Sequence, residues 1–173
     1  MNAQHGLLLV NTGNGKGKST AAFGVAMRAV GQGLTVSIIQ FIKGKWKTGE
    51  MEAARRLGFE FMPMGKGFTW ESKNLEEDKA LMRNAWAVAS EKILSGKYDL
   101  IILDEINYVL GYGHIPVNEV VRTLQSRPGS VHVMLTGRNA PEEIISIADC
   151  VTEMREVKHP YRNGIPAQRG IDF

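Results

Sequence analysis

One stretch constrains this chain more than any other. Gly13-Asn14-Gly15-Lys16-Gly17-Lys18-Ser19-Thr20 crowds glycines, lysines and hydroxyls into a single short segment. Before it runs Gly6-Leu7-Leu8-Leu9-Val10, short and wholly apolar, the pattern of a buried parallel strand that ends at Asn11-Thr12-Gly13. After it, Ser19 to Val30 carries Ala22, Val25, Ala26, Ala29 and Val30 at helical spacing, with Gly31 and Gly33 as stops. A glycine turn between a strand end and a helix start lets backbone N–H groups converge on an anion without Cβ obstruction. The helix end adds about half a positive charge. Lys18 supplies a mobile cation, and the Ser19 hydroxyl suits Mg2+. The segment therefore reads as a cradle for the phosphates of a nucleotide.

Its spacing departs from the usual phosphate-loop signature, which has about four residues between the first glycine and Gly-Lys-Ser/Thr. Gly13 and Gly17 have only Asn14-Gly15-Lys16 between them. Either Thr12 stands in for the first glycine, or the loop is one residue tighter. Both options leave room for phosphates that lie differently from those of ordinary P-loop ATPases.

The rest of the chain alternates. Leu34 to Phe41, Phe59 to Met64, Tyr98 to Leu103 and Val131 to Leu135 read as strands, with Val151 to Met154 as a last one. Glu50 to Leu57, a helix capped by Asn74, Val117 to Leu124, and a helix opened by Pro141-Glu142-Glu143 lie between them. Met82, Ala85, Trp86, Ala89 and Ile93 form one helical stripe, so Trp86 reads as core. This order implies a three-layer α/β fold, a mostly parallel sheet covered on both faces, with residues 1–173 as one domain. In such sheets ligands sit beyond the carboxyl ends of the strands. There the fourth strand delivers Asp104-Glu105, candidates for holding Mg2+ opposite Ser19. Arg138 follows the fifth strand, where its guanidinium either reaches phosphate oxygens or forms a structural salt bridge.

Composition excludes several classes. Across 173 residues, 43% hydrophobic and 23% charged content is ordinary globular usage and argues against a disordered or fibrous chain. Apolar runs are far too short for a membrane helix, and the start lacks a signal-peptide pattern. A single cysteine, Cys150, cannot form an internal disulfide, so a cytoplasmic location and no membrane partner are expected. A net charge of +3 is too small to argue by itself for nucleic acid. Lys43, Lys45 and Lys47 read as solvated surface charge unless a phosphate site lies nearby. Gly67-Phe68-Thr69-Trp70-Glu71 sets two aromatics on a glycine-flanked loop, anchors for a large flat ligand or partner or else core.

Taken together these segments resemble a known family, the P-loop corrinoid adenosyltransferases that act on cobalamin or cobyrinic acid a,c-diamide. The likeness runs nearly end to end. It is carried by Thr12 to Lys18, Gln40-Phe41-Ile42-Lys43-Gly44, Gly67 to Glu71 and Ile102-Leu103-Asp104-Glu105. Thr136-Gly137-Arg138, Val157-Lys158-His159 and Gly170-Ile171-Asp172 belong to it too. The shortened loop together with Gly-Phe-Thr-Trp-Glu is its specific signature. Ser19 stands where threonine is frequent in the family, a harmless exchange for a hydroxyl ligand.

The resemblance implies a RecA-like P-loop NTPase sheet, a homodimer, and transfer of the 5′-deoxyadenosyl group of ATP to the cobalt(I) of a reduced corrinoid. Tripolyphosphate would leave from a nucleotide bound in reverse of the ordinary sense. The charge of the departing triphosphate can be met by Lys18, with Lys16, Lys43 and Arg138. By the resemblance, Phe68 and Trp70 would lie against the corrin and exclude its lower axial ligand, which eases reduction of cobalt(II). An electron-donor flavoprotein is the implied protein partner, and nucleic acid is not. Some members carry an N-terminal arm over the site. With the first strand expected from Gly6, no arm is expected here.

The residue chemistry agrees with that reading. Cobalt(I) is a nucleophile without a proton, so attack on the ribose C5′ needs no general base. His5, His114, His132 and His159 are dispersed, and no catalytic triad is visible. Two rivals stand beside it. A P-loop nucleoside kinase would use Glu105 as base and yield ADP. A RecA-like nucleic-acid-binding ATPase would stack bases on Phe68 and Trp70 and bind with steep salt dependence.

Overall fold

β-Branched and apolar runs of four or five residues build six strands: β1 (Leu8–Thr12), β2 (Val36–Gln40), β3 (Glu60–Pro63), β4 (Leu100–Asp104), β5 (His132–Thr136) and β6 (Cys150–Glu153). The helices between them are α1 (Lys18–Gly31), α2 (Gly49–Leu57), α3 (Leu75–Ser95), α4 (Ile106–Gly111), α5 (Val117–Gln125) and α6 (Glu142–Ile147). The structure is a computed structural model that describes residues 5–42, 44, 48–67 and 75–172. The strands form one sheet in the order β3-β2-β4-β5-β1-β6, and every neighbouring pair is parallel. The expected sheet was mostly parallel; the strands described here are wholly so.

Alternation along each strand divides the core. Ile101 and Leu103 of β4 point to one face with Trp86, Val109, Leu124 and Ile144, so α3, α4, α5 and α6 cover that side. Leu100 and Ile102 point to the other, against Ala22, Ala26 and Ala29 of α1. Small alanines let α1 lie close to the sheet beneath the glycine loop. Trp86 is buried as expected, and its indole N–H donates to Glu119 Oε1 at 2.7 Å. Its truncation to Ala would cost about 3–5 kcal/mol.

Three local readings need correction. β1 runs to Thr12, not Val10, because Asn11 pairs with Thr136 and Thr152 while Thr12 pairs with Glu153. These polar residues tolerate burial because each is satisfied: Asn11 Nδ2 donates to Lys18 O at 3.1 Å, and Thr12 Oγ1 accepts from Ala140 N at 3.1 Å. β6 spans Cys150–Glu153, one residue earlier than expected, and is an exposed edge. α4 has no start signal in the sequence: it is a short helix entered through Glu105 in the left-handed region, without a side-chain cap. The expected cap Asn74 lies outside the described residues.

With every strand parallel, Thr12, Gln40, Asp104, Thr136 and Glu153 arrive at one edge. β5 separates the strand that feeds the glycine loop from the strand that ends in the acids.

Candidate active site

Thr12 stays in β1, so the loop is the tighter of the two possibilities, Gly13 to Gly17. Gly13 and Gly17 have φ of 90° and 106°, conformations that L side chains rarely adopt. Crowding fixes Gly15: a Cβ there would lie 2.7 Å from the Arg155 carbonyl oxygen. The loop leans on the exit of β6, with Gly15 N–H donating to Met154 O at 2.6 Å and Met154 N–H donating to Thr12 O at 2.9 Å. Gly17 is the N-cap of α1, and the first turn has no side-chain cap and no acidic residue. Its N–H groups and dipole thus face the loop as an anion site. Ser19 is half-buried in that turn, whereas Asn14, Lys16 and Thr20 are exposed.

Lys18 is the first residue of α1 and is 8% exposed. Its ammonium donates to Gly15 O at 2.6 Å. Burial lowers its pKa below the ordinary lysine value; Glu105 opposes that fall and Arg138 adds to it. A buried ammonium folded back on its own loop is a cation held ready for an anion.

The acidic strand end is wired across three strands. Asp104 is fully buried. Its Oδ2 accepts from Gln40 Nε2 at 2.8 Å, and its Oδ1 accepts from the Thr136 hydroxyl at 2.7 Å. That hydroxyl in turn accepts the Glu105 N–H at 2.9 Å. Glu105 has φ of 66°, an uncommon state for a non-glycine residue and one that clusters at functional sites. Asp104 thus braces the edge while the left-handed kink re-aims the next carboxylate. Ser19 and Glu105 are hard oxygen donors that suit Mg2+ sharing phosphate oxygens, whereas both Asp104 oxygens already accept hydrogen bonds. No cluster of three or more His, Cys, Asp or Glu able to form a protein-only metal cage occurs among the described residues.

Behind Glu105, Asn107 is fully buried and its Nδ2 donates to Gly137 O at 3.0 Å. Gly137 has φ of 127°, and a Cβ there would lie 2.9 Å from Asn107 Cβ. This contact seats the turn that presents Arg138. Arg138 is exposed and, with Glu156, His159, Tyr161 and Arg162, lines an open cleft of ≈ 670 Å³. Tyr108 of α4 is half-buried; burial and the nearby Glu105 raise its pKa, Arg138 works against them, and the phenol stays neutral.

The sheet edge therefore gathers Thr12 to Thr20, Asp104, Glu105 and Arg138. Lys43, Phe68 and Trp70 lie outside the described residues. The sequence alone gives no role to Gln40, Thr136, Asn107 or Tyr108. Gln40 and Thr136 do open two of the motifs, but a hydrogen bond between neighbouring strands leaves no mark in a single sequence.

A family model described as ATP:corrinoid adenosyltransferase BtuR/CobO/CobP matches residues 4–173. The chain is 45% identical over 170 residues to a corrinoid adenosyltransferase of Escherichia coli (strain K12), covering 98% of this chain and 87% of that protein. Corrinoid adenosyltransferase CobA of Salmonella typhimurium is 44% identical with the same coverage. A corrinoid adenosyltransferase of Sinorhizobium sp is 47% identical over 174 residues, covering 98% and 81%. Among solved structures, the flagellar accessory protein FlaH of Methanocaldococcus jannaschii superposes with a TM-score of 0.53 at 14% identity, covering 87% of this chain and 71% of that one. That likeness concerns the fold alone.

Proposed function

The chain belongs to the ATP:corrinoid adenosyltransferase family and is a transferase that moves the adenosyl group of ATP to a corrinoid; from this premise we propose how its residues divide the work. Cobalt(I) attacks the ribose C5′, the cobalt–carbon bond forms, and the C5′–O bond breaks. Its electron pair leaves with tripolyphosphate, so the cobalt is formally oxidised by two electrons. No proton moves at the reacting carbon. The protein's task is in-line placement and neutralisation of the departing charge.

The glycine loop holds the triphosphate as leaving group. Lys18 turns from Gly15 O to a phosphate oxygen, helped by the open first turn of α1, by Lys16 and Lys43, and by Arg138 from across the edge. Ser19 and Glu105 would hold Mg2+, which would supply neutralisation of phosphate charge; Asp104, with both oxygens engaged, orients Glu105 from behind. By the family resemblance, Phe68 and Trp70 would lie against the corrin and exclude its lower ligand. We read residues 1–173 as one domain, acting as a homodimer in the cytoplasm with an electron-donor flavoprotein. The exposed free Cys150 suits a reducing compartment, and among the described residues no helix is long and apolar enough to cross a membrane.

The observation that carries this reading is the convergence of a shortened loop, a buried ammonium, Glu105 and Arg138 at one sheet edge, with no general base required. The test is anaerobic incubation with Mg-ATP and a chemically reduced corrinoid. A light-sensitive cobalt–carbon product should form, and Lys18→Ala should slow its formation by about 10²–10³-fold with the fold intact. Absence of the product, or full activity in Lys18→Ala, would overturn the assignment.

A further inference from the structure

A turn from late in the sequence meets the glycine loop. Lys16, exposed on that loop, pairs through Nζ with Asp172 Oδ1. The carboxylate is the better-buried partner, its side chain 11% exposed against 50% for Lys16. Asp172 Oδ2 accepts the Gln168 N–H at 2.7 Å, and the Asp172 N–H donates to Gln168 O at 2.8 Å. Gly170 and Ile171 of the same turn line a cavity with Thr20 and Phe23 of α1 and Glu50 and Ala53 of α2. A turn docked beside the start of α1 thus presents the carboxylate to the loop. Elsewhere the loop's donors meet uncharged backbone: Gly15 N–H bonds Met154 O and Lys18 Nζ bonds Gly15 O.

A carboxylate at this place opposes the anion that the loop binds. It has a use once the reaction is over. The loop is then left with a highly charged polyphosphate, and release of product often limits turnover. We propose that Asp172 is a positioning residue of the phosphate loop, competing with the polyphosphate for the Lys16 ammonium and so setting how tightly the loop holds the product it must let go. The inference rests on the assignment of Lys16 to the phosphate site.

Inorganic tripolyphosphate is the probe, titrated calorimetrically into the full chain and used as an inhibitor against ATP. Asp172→Asn keeps an oxygen for the Gln168 N–H and removes the charge. It should tighten tripolyphosphate about two- to five-fold, the range expected for one solvent-accessible ion pair. The gain should shrink as salt is added, and Asp172→Glu should return the affinity toward that of the parent. A merely structural role for Asp172 would weaken binding when lost, so weaker or unchanged tripolyphosphate binding in Asp172→Asn overturns the proposal. Lys16→Ala separates this failure from failure of its premise. It should weaken tripolyphosphate and abolish the effect of Asp172→Asn in the double variant. Unchanged binding in Lys16→Ala would remove Lys16 from the phosphate site and overturn the proposal at its root.

Discussion

Replacing Thr136 by valine would cut the link between the acidic strand end and the backbone of Glu105. Valine keeps the shape and loses the hydroxyl, which donates to the fully buried Asp104 carboxylate at 2.7 Å and accepts the Glu105 N–H at 2.9 Å. A hydrogen bond to a charged group is worth about 1.5–3 kcal/mol, and a buried N–H left unpaired costs about 1–3 kcal/mol. The two losses share one atom and do not simply add, which puts the cost at about 2–5 kcal/mol. A central value of about 3 kcal/mol lowers Tm by about 6–12 °C in a chain of this size. Thr136→Ser keeps the hydroxyl and loses one methyl, a cost of about 1 kcal/mol. Thermal and urea unfolding of the three proteins at neutral pH measures the difference. The reasoning fails if Thr136→Val unfolds within about 0.5 kcal/mol of the parent, the scale of an ordinary surface change, or if serine costs as much as valine. ATP affinity should fall with stability in the valine variant, because Glu105 loses its brace.

Other perturbations have equally definite outcomes. Gly15→Ala drives a Cβ to 2.7 Å from Arg155 O and 2.8 Å from Met154 O, so the exit of β6 must shift; we expect a loss of about 1–3 kcal/mol in stability and weaker ATP binding by calorimetry, and an unaltered variant would refute the packing. Because burial lowers the Lys18 pKa, metal-free tripolyphosphate affinity should begin to fall at a pH below the ordinary lysine range, while Lys18→Arg stays flat there. The sign for the empty protein is opposite: the folded state binds the proton less well, so the cost of burying that charge is relieved as pH rises through the lowered pKa. Glu60 behaves as an acid of the usual kind. Burial pushes its pKa up, but hydrogen bonds from Lys92, Ser37 and Tyr98 outweigh that and leave it below the glutamate value. Its contribution is present above the unfolded-state pKa and is lost as pH falls through the folded one, so Glu60→Gln should be less stable than the parent near neutrality and converge with it in acid.

The alternation of strands and helices was legible because each strand is a short buried run and each long helix keeps an apolar stripe; Ile101 and Leu103 against Leu100 and Ile102 show the period directly. The phosphate loop was legible because glycine, lysine and hydroxyl must follow one another in the chain to build it. What stayed hidden was set by distant partners. Asn11 and Thr12 extend β1 because β5 and β6 flank them, which no local pattern announces. Gln40 and Thr136 matter through Asp104, and Asp172 through Lys16, a residue 156 positions away. α4 begins with a strained Glu105 instead of a cap, so the usual start signal is missing.

The phosphorus product of the reaction tests the central claim most directly. With Mg-ATP and cobalt(I) corrinoid under anaerobic conditions, ³¹P NMR should show intact tripolyphosphate appearing in step with each adenosylated corrinoid. ADP, or pyrophosphate and orthophosphate released together from the first turnover, would mean that the loop does not hold the triphosphate as a single leaving group.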